Sequence, residues 1–109
     1  MEKSRVVKLL HDVERLRLLT QQRQAELGSC CPSRRDKVLA SLQKAEKKLF
    51  MVDSAMELLT PEERLVVYHI GIARQKGAAR SLCQMLQREK TTVYRIWDRA
   101  VRKMGKVMG

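Results

Sequence analysis

Between Arg34 and Leu59 the apolar residues Val38, Leu42, Ala45, Leu49, Val52, Met56 and Leu59 recur at spacings of 4, 3, 4, 3, 4 and 3. An unbroken seven-residue repeat lays one narrow apolar stripe along a helix, the seam of a coiled coil, and leaves no room for a strand. Upstream, Val6, Leu9, Leu10, Val13, Leu16 and Leu19 stand among Lys, Arg, Glu and Gln from Glu2 to Leu27. That pattern predicts an amphipathic helix of roughly 25 residues. The intervening "GSCCPS" is a connection: Gly28 suits the left-handed residue after a helix, Pro32 bars continuation, and Ser33 is placed to cap the second helix, with Asp36 three residues later. Two helices of similar length joined this way predict an antiparallel hairpin. Each helix buries only one stripe, so the pair needs another chain or the C-terminal domain packed against it. A homodimer through these N-terminal helices is the simplest solution.

"LTPEER" supplies a second start signal, with Thr60 as N-cap, Pro61 at the first helical position and Glu63 completing a capping box. The predicted helix runs through Leu65, Val66, Tyr68 and Ile70 to about Ala73, and "RQKGA" breaks it at Gly77. A short helix over Ala78 to Leu86, a polar turn at residues 87–90 and a last helix from Thr91 to about Val107 complete the chain. The expected architecture is therefore all-α: a long antiparallel helical hairpin over residues 1–59, then a three-helix domain with a helix-turn-helix over residues 60–109.

The last helix has two incompatible faces. Val93, Ile96, Trp97, Ala100 and Met104 gather on one side at core-facing helical spacing, while Thr91, Arg95, Asp98, Arg99 and Arg102 fall on the other. A solvated face ordinarily mixes both signs, but this one sets three arginines against one acid. Charge is uneven along the chain as well. Of the formal net +11, residues 1–59 contribute +4, from 12 basic and 8 acidic residues, and residues 60–109 contribute +7, from 11 and 4. A concentrated positive field of this kind predicts nucleic acid or an anionic membrane as partner.

Other classes find little support. No stretch approaches the roughly 20 apolar residues of a membrane span, and no signal-peptide core opens the chain, so a membrane is not an expected partner and the cytoplasm is the expected location. Cys30, Cys31 and Cys83 are odd in number and suit neither a disulfide framework nor zinc spacing. Reduced thiols, with Cys83 as a small core residue, are expected. His11 and His69 stand alone, and no phosphate loop, Ser/His/Asp set or paired carboxylates are visible. No enzyme, metal or cofactor is expected.

A short helix, tight turn and longer basic helix together make the helix-turn-helix that reads DNA. The motif requires a small residue midway along its first helix, here Cys83, and apolar residues locking the two helices, here Leu82 and Leu86 against Val93 and Ile96. The residue after Leu86 is commonly Gly because the backbone there favours positive φ. This chain has Gln87, at an expected cost of about 1 kcal/mol. Glu89, near the N-cap of the second helix, replaces the usual Ser or Thr; its charge suits the helix dipole and repels a nearby phosphate.

From Leu59 onward, "LTPEERLVVYHIGIARQKGAARSLCQMLQREKTTVYRIWDRAVRKMGKV" resembles region four of bacterial sigma-70 factors. It is similar also to the ArpU- and RinA-like late-gene activators of phages and prophages, most specifically in "TVYRI" and "RAVRKM", and more loosely in "SRRDKV" after a long N-terminal helix. The resemblance implies promoter recognition with recruitment or activation of RNA polymerase in a bacterial host cell, on the nucleoid. Carried onto this chain, it implies base-reading by Lys90, Thr91, Tyr94 and Arg95, with Arg99 on backbone phosphate.

Helix geometry independently favours Arg95, opposite the core stripe, as a bidentate reader of guanine, a contact of about 1–3 kcal/mol in discrimination. Arg102 and Lys103 further along, with Arg88 and Thr92 nearer the turn, complete the expected phosphate contacts. Trp97 is expected in the core, Asp98 in an intrahelical pair with Arg95 or Arg102, and Tyr94 at the margin between base contact and surface decoration. Two other functions fit the same pattern: a phage terminase small subunit, which also joins a helix-turn-helix to oligomerising helices, and a protein-interaction module built on the hairpin. A large ring in light scattering distinguishes the first, and salt-independent binding the second.

Overall fold

The computed structural model describes residues 1–109 and is all-helical. Its elements are α1 (Lys3–Leu27), α2 (Pro32–Glu57), α3 (Pro61–Val67) continued by a π-helical turn (Tyr68–Ile72), α4 (Ala78–Leu86) and α5 (Lys90–Met108). No helix is long and apolar enough to cross a membrane.

The long helices lie side by side and antiparallel. Arg23, near the end of α1, bonds Ser41, in the first half of α2, while Val6 and Leu10 share a buried cluster with Val52 and Ala55. The connection differs from its sequence-based expectation. Gly28 is right-handed (φ −72°, ψ −18°), because the Ser29 and Cys30 N–H groups both return to the Glu26 carbonyl and continue the helical turn. The second helix is capped by extended Cys31 and not by Ser33: Pro32, whose fixed φ and missing N–H suit the first helical position, starts it two residues earlier.

The seven-residue stripe is buried at Val38, Leu42, Ala45, Val52 and Leu59, but Leu49 and Met56 are only half-buried and Ala55 joins the core. A straight helix drifts about 20° per heptad against a strict repeat, and the contact line moves with it. The stripe leaves α2 at Leu59, where two turn bonds carry the chain into α3. Arg64 closes the end of α2, its guanidinium donating to the carbonyls of Met56 and Glu57, both at 3.0 Å.

The capping box forms as expected: the Glu63 N–H donates to Thr60 Oγ1 (3.2 Å) and the Thr60 N–H to Glu63 Oε1 (3.0 Å). Beyond Val67 the helix widens, the Ala73 N–H reaching Tyr68 O at 2.8 Å. This turn seats Gly71 beneath the Trp97 ring, where a Cβ would lie 2.9 Å from two ring carbons.

Two apolar clusters hold the fold. The larger draws Val6, Leu10 and Val13 from α1, Val52 and Ala55 from α2, Leu59 after it, Val67 and Ile72, and Ala100, Val101 and Met104 from α5. It crosses the boundary at residue 59 without a break. The smaller joins Val66, Leu82, Val93 and Ile96, and half-buried Trp97 packs against both.

Candidate nucleic-acid interface

α4 and α5 meet across three residues, and the geometry of those residues sets the direction of α5. Gln87 takes the left-handed conformation expected there (φ 53°, ψ 45°), and the Arg88 N–H bonds the Cys83 carbonyl at 3.1 Å. Glu89 is extended and caps α5 with its carbonyl, which accepts from the Val93 N–H at 3.0 Å; its side chain makes no cap. Leu82, Val93 and Ile96 are buried together, with Leu86 and Cys83 half-buried against them. The five locking positions named from sequence thus come together.

The inner stripe of α5 is wider than expected, since Val101 and Gly105 are buried as well as Val93, Ile96, Ala100 and Met104. A Cβ on Gly105 would fall 2.6 Å from the Met1 carbonyl oxygen, so the start of the chain lies directly on this part of α5. The outer face is open. A hollow along it is lined by α5 residues alone, from Thr91 to Lys106, with Lys3 of α1 and Glu63 of α3 reaching its Asp98, Arg99 and Lys103 side chains.

Of the residues assigned to base reading, Lys90, Thr91, Tyr94 and Arg95 are all exposed and succeed one another along the leading end of α5. Arg95 alone of the three α5 arginines has no carboxylate partner. Arg99 Nε lies 3.7 Å from Glu63 Oε2, and Arg102 bonds Asp98 at 3.1 Å, yet the two side chains remain 65% and 71% exposed. Thr92 turns partly inward, and Arg88 points back to Glu62 at 3.2 Å. The expected intrahelical pair of Asp98 is therefore the one with Arg102.

Three features of this face are absent from the sequence-based expectation. Lys3 pairs with Asp98 from the first turn of α1, a contact between residues 95 apart that no local pattern announces. Lys106 continues the Arg95, Arg99, Arg102 spacing by one turn and was readable from it. Arg74 and Arg80 share a hollow with Lys90 and Tyr94 beside the α5 start, brought there by the 73–77 break, in which Arg74 has φ 48°.

The electrostatics rest on two carboxylates. Hydrogen bonding from Lys3, with the charge of Arg102 added to it, holds the Asp98 carboxyl below its usual range. Burial pushes the Glu63 carboxyl up, but the Thr60 N–H and hydroxyl and the Lys103 ammonium, at 2.9 Å, outweigh it and keep the group ionised. Lys103 is thereby tied to α3 while still lining the outer hollow of α5. No three His, Cys, Asp or Glu side chains gather where they could hold a metal. Comparison with family models, curated proteins and solved structures finds no match.

Proposed function

We propose that this chain is a sequence-specific DNA-binding transcriptional regulator. In this reading α4 and α5 form a helix-turn-helix within residues 60–109, carried on the antiparallel hairpin of α1 and α2. The observation that carries it is the outer face of α5: cationic, lined by α5 residues alone, and exposed along its leading end at Lys90, Thr91, Tyr94 and Arg95. A duplex major groove, about 12 Å wide, admits such a helix. The left-handed Gln87 and the buried Leu82, Val93 and Ile96 support the same assignment. The resemblance to sigma region four adds a promoter as the target and RNA polymerase as a further partner, and that to the phage late-gene activators adds a phage origin.

Within the groove, Arg95 reads a base edge, with Lys90, Thr91 and Tyr94 beside it. Arg99 and Arg102, held by Glu63 and Asp98 along the sides of α5, meet phosphate and add affinity without sequence information. Selection of bound sites from a random DNA pool tests the assignment directly. A recovered consensus is expected. Arg95→Ala should relax preference at one base pair by about 1–3 kcal/mol, and Arg99→Ala should weaken every duplex alike and reduce the salt slope by about 0.9. Failure to enrich any sequence, or equal losses for both variants on selected and random DNA, would overturn it.

A further inference from the structure

The open hollow along α5 does not stop at the end of that helix. It shares Arg102 and Lys106 with a second hollow walled by Met1 and Lys3. Met1 joins that one to a third, between α1 and α2, where Arg5, Lys8 and Lys48 stand. Lys48 in turn leads into a fourth, with Arg15 and Lys44. The only carboxylate in the two hollows between α1 and α2 is Asp12, 3.5 Å from Arg15.

The charges along most of α2 are sorted independently of these hollows, Arg35 in the first turn being the one cation on the acidic side. At about 100° per residue, Lys37, Lys44 and Lys48 fall within about 40° of one another, and Glu46, Asp53 and Glu57 gather about 180° away, on the other flank of the buried stripe. All six are exposed. A helix whose charges served only solubility would interleave the signs. Here the basic flank is the one continuous with α5.

We propose that this basic flank of the α1–α2 pair binds the phosphodiester backbone of duplex DNA adjoining the site that α5 reads. The inference rests on the function proposed above and extends its footprint. An anionic membrane would need exposed apolar side chains on the same flank as the cations. The large ones exposed on α2, Leu39 and Phe50, lie by the same angular count on the acidic flank, and Met1 alone stands among the basic hollows, too little apolar surface to seat in a bilayer. Length agrees with a second contact region: the molecule extends 55 Å, the rise of about 16 base pairs, and the 19 residues of α5 span only about 28 Å.

The test uses the full chain, the consensus site in a duplex of about 12 base pairs, and the same site within about 40. Wild type should bind the longer duplex more tightly and with a steeper salt dependence. Lys44→Ala and Lys48→Ala should each flatten that slope by about 0.9 on the longer duplex and leave the shorter one unchanged. Arg35→Ala removes the same charge from the acidic flank and should match wild type on both. Equal slopes for wild type and the lysine variants on the longer duplex, or an Arg35→Ala loss as large as theirs, would overturn the proposal while leaving the role of α5 standing. If no consensus is recovered at all, α5 is not a reading helix and this inference falls with it.

Discussion

Glu63 is the one charged residue buried in the protein, at 2% exposure, and it ties three structures together: the α3 cap, Lys103 and Arg99. Its carboxyl titrates lower folded than unfolded, so its stabilisation is complete above the unfolded value of about 4.3 and is lost as pH falls through the folded one. Glu63→Gln is expected to lower stability at neutral pH by about 1–2 kcal/mol and to flatten the fall in melting temperature between pH 5 and pH 3. Parallel melting curves against pH for both proteins would exclude this role. Gln87 lies at the opposite extreme, an exposed residue in a conformation that favours glycine. Gln87→Gly should raise stability by about 0.5–1 kcal/mol in chemical denaturation, and an unchanged midpoint would show that the turn holds no strain. The left-handed residue was legible because a three-residue turn between packed helices permits few backbone paths. The pairing of Lys3 with Asp98 was not, because only tertiary folding brings those residues together.

Among the elements, the π-helical turn is the one that sequence periodicity missed. "YHIGI" carries no signal that separates a wide turn from an ordinary one, and what distinguishes it is the distant Trp97 ring resting on Gly71. Gly71→Ala should therefore cost about 1–3 kcal/mol in thermal or urea unfolding, since ring carbons at 2.9 Å and a Leu10 methyl at 3.2 Å leave no space for the new methyl. Trp97→Phe should recover part of the loss, and a fully stable Gly71→Ala variant would mean that the two elements can separate freely. By contrast α3, α4 and α5 were readable to within a residue or two at most ends. Thr60, Pro61 and Glu63 announce the first start, Gly77 precedes the second, and the apolar 3-and-4 spacing runs the length of the third. The exit from α1 was read differently because glycine permits a left-handed residue without compelling one, and Pro32 decided where α2 begins.

For the whole molecule, the larger cluster makes α5 as much a partner of α1 and α2 as of α3. A sequence divided at Thr60 by its capping signal shows where helices start, not which helices share a core. Residues 60–109 expressed alone should consequently lose cooperative thermal unfolding, because Ala100, Val101 and Met104 would face water without Val6, Leu10 and Val52. A sharp, native-like transition in that fragment would refute the shared core. The sidedness of α5 carries a further implication. Its interior edge answers to four neighbouring helices, whereas Thr91, Tyr94 and Arg95 on its exterior edge are exposed and paired with none of them. Under the proposed function, substitutions at Thr91, Tyr94 and Arg95 would retune DNA preference while the melting point stands still, leaving the scaffold free to acquire new targets without having to refold around them.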